Sequence, residues 1–222
     1  MSALLTALRL GDSAFPSGGF AFSQGLEPVL AADRTAGPDV VLSFIREQVR
    51  LRFATADRVG LVRAYRLADD EDAVAAVDRE FHAASPVAPQ RLASAKNGAA
   101  FLAAHVRLRT EGAAAYQARV RAGRAFGHLP VVQGLVYRRL GLGEGEAVRV
   151  AGYAMVMGIA QAALRLGRMR AMDTQSVVAR ALSDLEAIAD ADIDDGAPAT
   201  FTPLVDIAAI DHTHARGRLF SS

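Results

Sequence analysis

Between positions 39 and 191 the apolar residues recur at spacings of three and four, and no stretch alternates with period two for long. That periodicity places apolar side chains on one side of an α-helix and scatters them over both faces of a strand. In "DVVLSFIREQVRLRF", Val41, Phe44, Ile45 and Gln48 fall on one face, with Arg46 and Arg50 opposite. Asp39 after Pro38 reads as a helix start. The pairs Val40–Val41 and Val131–Val132 are too short to be strands and sit inside helical patterns. The pattern predicts an all-α fold: a single-domain bundle of about eight to ten helices. The run Val150–Leu164, bracketed by Arg149 and Arg165, is predicted to be the buried central helix. A membrane span needs about 20 apolar residues, and this run is shorter and contains Gln161.

The buried helix is predicted to begin at about Glu146, and further helices are predicted after Asp57, through "DEDAVAAVDREFHAA", after Pro89, after Gly112, from near Pro130, and from Asp173 to about Ala191. In the last of these, Val178, Leu182, Leu185 and Ala189 share a face. Its acidic end, "DADIDDG", opposes the negative pole of the helix dipole, so either the helix frays there or a basic group docks on it. The chain has 222 residues, 51% hydrophobic and 22% charged, which suffices for one well-packed core. A net charge of +1 supplies no field for nucleic acid or an anionic membrane, and neither is an expected partner. There is no cysteine, which excludes disulfides and thiolate chemistry. No basic n-region precedes the apolar start, so no export signal is read and a cytoplasmic location is expected.

The motifs that would announce chemistry fail on spacing. "GLGEGE" places Glu146 where a dinucleotide loop needs its third glycine. "DADIDDG" places Asp195 at the glycine and Phe201 at the bidentate acid of a calcium loop. His212 and His214 stand two apart, off a common helical face. His82, His105 and His128 are expected to be packed or surface histidines. No catalytic set, cofactor or metal site is expected. A helical enzyme, the alternative reading, would require convergent polar groups in a pocket.

The stretch "FPSGGFAFSQGLE", Phe15 to Glu27, has no place in a helix. Gly18 and Gly19 can adopt backbone angles closed to other residues and let a chain approach closely. They would present Phe15 and Phe20 on a rigid turn as aromatic anchors, with core packing the alternative for both rings. Pro28 belongs in the first turn of a helix restarting near Leu26 or Glu27.

"LRLGDSAFPSGGFAFSQGLE" resembles the N-terminal signature of the urease accessory protein F (UreF) family at Asp12, Ser13, Phe15, Pro16, Gly18, Phe20, Ser23, Gly25, Leu26 and Glu27. "PVAPQRLASAKNGAAFL" resembles the family's Gly-x-x-Phe-Leu segment, and "GHLPVVQGLVYRRLGL" its His-x-Pro-Val-x-x-Gly segment. "TPLVDIAAIDHTHARGRLFSS" resembles its C-terminal segment. Departures stand at Arg168, Ala171 and Thr213.

The resemblance implies an all-α dimer that is not an enzyme. It implies a bridge between a UreD/UreH-type protein and a UreG-type nickel-carrying GTPase, with nickel delivered to apo-urease. It implies partner-binding roles for Phe15, Pro16, Gly18, Gly19, Phe20, Ser23, Glu27, His212, Arg218, Leu219 and Phe220. Leu219 and Phe220 either dock into the UreD-like partner or pack on their own core, and Glu27 is positioned to pair with a basic residue of a partner. Ala154, Gly158 and Ala162 recur every four residues, so a second helix can approach along them. Arg149 and Tyr153 are expected at a homodimer contact, or alternatively in an internal ion pair beside a capped tyrosine.

Overall fold

The computed structural model describes residues 2–33, 35–193, 196–212 and 219–220, with the backbone alone at 20, 204, 211 and 212. Among the described residues there is no strand. The α-helices are α1 (Ala3–Gly11), α2 (Leu26–Ala32), α3 (Pro38–Gln48), α4 (Arg58–Arg66), α5 (Glu71–Ala83), α6 (Ala88–Arg107), α7 (Ala113–Arg121), α8 (Leu129–Arg139), α9 (Glu144–Arg165), α10 (Ala171–Asp190) and α11 (Pro203–His212). A π-helical segment, Val49–Asp57, joins α3 to α4 without leaving helical backbone angles, so these two read as one long helix.

The boundaries follow local chemistry. Asp70 caps α5 by accepting the amides of Asp72 and Ala73. Prolines open α3, α6 and α8, where no amide donor is required. The Glu146 carboxylate accepts the Gly143 amide at the start of α9, 2.7 Å away.

Helix α9 is the axis of the bundle. It contacts α1, α2, α3, α4, α8 and α10, and Val156, Ile159, Ala160, Ala162 and Ala163 are fully buried. It alone among the described helices is long and apolar enough to cross a membrane, and most of that stretch is buried inside the protein. Residues from Leu10 to Phe220 join one hydrophobic core. The predicted face of α10 is correct: Val178 and Leu185 are buried, and Leu182 and Ala189 pack against the core.

The motif glycines of α6 and α8 mark close crossings. A Cβ on Gly98 would lie 1.9 Å from the Gly127 carbonyl oxygen, and one on Gly134 would lie 2.1 Å from that of Leu61. Only glycine lets backbone meet backbone there. The π segment was not foreseen. Its i→i+5 bonding brings residues five apart onto one side, where an α-helix would separate them. Arg52 and Asp57 meet in this way, Nε to Oδ2 at 3.4 Å.

At the acidic end of α10 the basic-docking alternative holds. The Arg58 guanidinium donates to the carbonyls of Ile188, Ala191 and Asp192, and Arg149 pairs with Asp190. Asp194 and Asp195 lie outside the described residues.

Candidate partner-binding surface

The segment between α1 and α2 is a sequence of tight turns. Asp12 begins it by accepting the Ala14 amide on its side chain and the Phe15 amide on its carbonyl. Gly18 then turns left-handed, at φ +80°, and Gly19–Ala21 form a single 3-10 turn. Gln24 and Gly25 are also left-handed, at φ +55° and +87°. Ser23 is fully buried, and its hydroxyl accepts the Glu27 amide at 3.3 Å as α2 begins.

Two of the glycines serve contacts within the chain. A Cβ on Gly18 would lie 2.7 Å from the Ala100 Cβ in α6, and one on Gly25 would lie 2.5 Å from Val205 Cγ1 in α11. The close approach expected for another chain is therefore made by this chain's own helices. Gly19 has ordinary helical angles and does not require glycine's freedom. Phe15 is half-buried, its ring centroid 5.7 Å from that of Phe101 and 5.4 Å from that of His105, and Pro16 next to it is exposed. Phe20 contributes its backbone to the 3-10 turn, and its side chain lies outside what is described.

Of the C-terminal residues expected to face a partner, Leu219 and Phe220 are described, and their backbone meets the start of α2. The Glu27 carboxylate accepts the amides of Leu219 at 2.7 Å and Phe220 at 3.1 Å. Phe220 is buried, with the Arg165 guanidinium 4.4 Å above its ring centroid, whereas Leu219 is 62% exposed. Phe220 thus follows the alternative of packing on its own core, and Glu27 has acceptor contacts within the chain. Phe220 packs on its own core because an aromatic ring gains more from burial there than from exposure in a tail. Glu27 spends its charge on two backbone donors within the chain. His212 ends α11, and its side chain, like all of Arg218 and Thr213, lies outside the described residues.

Arg149 and Tyr153 have the contacts within the chain that the internal alternative requires. Arg149 is tied to α10 through Glu186, at 2.8 Å, and Asp190. The Tyr153 ring packs beside α1, where a Cβ on Gly11 would lie 3.2 Å from it. The small-residue stripe turns inward: Ala154 and Gly158 face a cavity beneath the 12–25 turns, and a Cβ on Gly158 would be 3.2 Å from the Gln24 amide nitrogen. Each small side chain leaves room for this chain's own turn.

Sequence reasoning did not reach a polar chain running from the π segment to α11. Arg52 donates to Gln90 at 3.1 Å, Gln90 donates to Asp206 at 2.8 Å, and Thr202 donates to Asp206 at 2.9 Å. It also could not place His82 beside His128. Their Nδ1 and Nε2 atoms lie 3.0 Å apart, and the His82 ring stacks on Phe126. Asp78 holds the loop before α8 by accepting the amides of Phe126, Gly127 and His128. Burial, with the positive charge of His82, Arg91 and Arg52 nearby, pushes His128 down to about 4. Burial beside Arg9 does the same to His105. No group of three or more metal-ligating side chains occurs among the described residues.

The family model described as UreF matches residues 36–182. Urease accessory protein UreF 1 of Brucella melitensis biotype 1 is 32% identical, over 98% of this chain and 92% of its own length. The urease accessory protein UreF of Yersinia enterocolitica serotype O:8 is 30% identical over 100% of this chain and 99% of its own. That of Yersinia pseudotuberculosis serotype IB is 30% identical over the same shares. With the family model covering well over half the chain and these relatives matching it from end to end, the chain belongs to the UreF family of urease accessory proteins.

Proposed function

We propose that this protein acts in urease maturation as a scaffold, joining a UreD/UreH-type protein to the UreG-type GTPase so that nickel reaches apo-urease. It performs no chemistry of its own in this role. The observation that carries the reading is the junction of the two chain ends. The N-terminal turns and the last described residues, 192 positions apart in sequence, are fastened together at Glu27. Exposed Pro16 and exposed Leu219 thereby belong to surfaces that the same turns and α2 support. A chain segment already held by hydrogen bonds within the protein loses less entropy on docking than a free one.

The test is co-purification of the full chain with the UreD-type and UreG-type proteins, comparing wild type with Pro16→Ala combined with Leu219→Asp. Both positions are exposed, so the helical signal and melting temperature stay as in wild type. Recovery of the partners is expected to fall at least tenfold. Full recovery of both partners by the variant would overturn the assignment of this surface.

A further inference from the structure

A cavity of about 400 Å³ lies beneath the 12–19 turn, walled by that turn, the π segment, α6, α8 and α9. Its volume is within the range of about 300–1,000 Å³ found for small-molecule sites. Much of the wall is apolar, with the rings of Phe15, Phe53 and Phe101 among its surfaces. The polar part of the wall has a definite bias. Asn97 Oδ1 and Asp57 Oδ1 are both buried, and neither has a hydrogen-bond partner among the described residues. Each is an acceptor, and a buried acceptor left unpaired is unfavourable. Gln133, by contrast, donates to the Tyr137 hydroxyl, and Gln90 is held between Arg52 and Asp206. The unmet need of the wall is therefore for donors.

Charge narrows the occupant further. Asp57 already has Arg52 at 3.4 Å, and the other two charges of the wall, Asp12 and Arg165, are of opposite sign, so the wall has no net charge to attract an ion of either sign. An anion would face two lone-pair acceptors. Gln24 and Gln161 in the same wall carry amide groups that can donate to a carbonyl on the occupant.

We propose that this cavity is a binding site for a small neutral molecule with a flat apolar body and an N–H-donating head, such as a primary carboxamide or an amino-heterocycle. The body stacks among the phenylalanine rings and the head donates to Asn97 Oδ1 and Asp57 Oδ1. Because the cavity roof includes Phe15 and Gly18, an occupant braces the turn from below. The inference rests on the cavity alone and does not depend on the maturation role.

The experiment titrates the full chain with benzamide, with benzoate and benzamidine as charged counterparts, and follows backbone amide shifts of Gly18, Asn97 and Phe101 by NMR. Benzamide is expected to give saturable shifts and to bind at least tenfold more tightly than either counterpart. Asn97→Leu, which removes one acceptor, is expected to weaken benzamide at least tenfold. Ala154→Leu, which fills the cavity from the α9 side, is expected to abolish the shifts while the protein melts no lower than wild type. Three outcomes would each overturn the proposal: no saturable shift with benzamide, equal binding of benzoate, or unchanged binding by a folded Ala154→Leu protein. The first would mean that the cavity holds water only.

Discussion

The carboxylate of Glu27, in the first turn of α2, holds the backbone amides of Leu219 and Phe220 at 2.7 and 3.1 Å. A charged acceptor on two amides is stronger than a neutral one, and it fastens the last described residues beneath Arg165. Glu27→Gln keeps the side chain's shape and weakens the clasp. The 219–220 amides are expected to exchange with solvent at least tenfold faster in this variant, with the helical signal unchanged. Phe220→Ala is expected to cost about 2–3 kcal/mol in urea unfolding, somewhat less than a central phenylalanine because the chain end can readjust. A cost near zero would show that the ring is not part of the core.

Gly98 and Gly134 carry backbone-to-backbone crossings at which any Cβ meets a carbonyl oxygen closer than 2.2 Å. Gly134→Ala is expected to destabilise by about 3 kcal/mol or more, the upper range for overpacking, because α8 must separate from α4. Gly98→Ala acts the same way where α6 meets the loop before α8. Gly123→Ala is the comparison: among the described residues nothing lies within 4 Å of its Cβ position. It is expected to cost only the strain of its left-handed angle, about 1–2 kcal/mol. Equal losses in chemical denaturation at all three positions would contradict the crossing geometry.

Arg149 separates internal from intersubunit roles. Its ion pairs with Glu186 and Asp190 are largely exposed, so Arg149→Ala is expected to cost no more than about 1 kcal/mol. If α9 also meets a second copy through Arg149 and Tyr153, then Arg149→Ala with Tyr153→Asp halves the mass in light scattering. A mass equal to that of wild type would confine both residues to contacts within one chain.

The buried histidines set an acid limit on stability. His105 and His128, both fully buried, are held at about 4 in the folded protein, against about 6.5 in an unfolded chain. The folded pKa lies below the unfolded one, so their contribution is complete above about pH 6.5. It is lost as pH falls toward 4, because the unfolded chain takes up protons that the folded one refuses. Each histidine is expected to remove about 1–2 kcal/mol between pH 7 and pH 5. Urea midpoints at the two pH values check this, and His105→Gln is expected to flatten the difference by its share.

The sequence by itself determined the helices and the burial of α9, because both follow from the spacing of apolar side chains along a local period. It also marked Gly18 as a position of unusual backbone freedom, and the family resemblance singled out Gly25, Gly98 and Gly134. What each glycine touches was not legible: whether Gly25 meets a partner or Val205 depends on where α11 lies, 180 residues along the chain. Helix α11 itself had a readable signal in Thr202 before Pro203 with Asp206 following, but its apolar residues surround the helix and give no clear face. The π segment left no mark, because Val41 to Gln48 and Arg58 onward keep an ordinary helical period on either side of it. The pairing of His82 with His128, the Glu27 clasp and the cavity beneath the 12–19 turn were decided only by the tertiary structure. Each joins groups 40 or more residues apart, and their meeting depends on how α9 and its neighbours pack rather than on any local period.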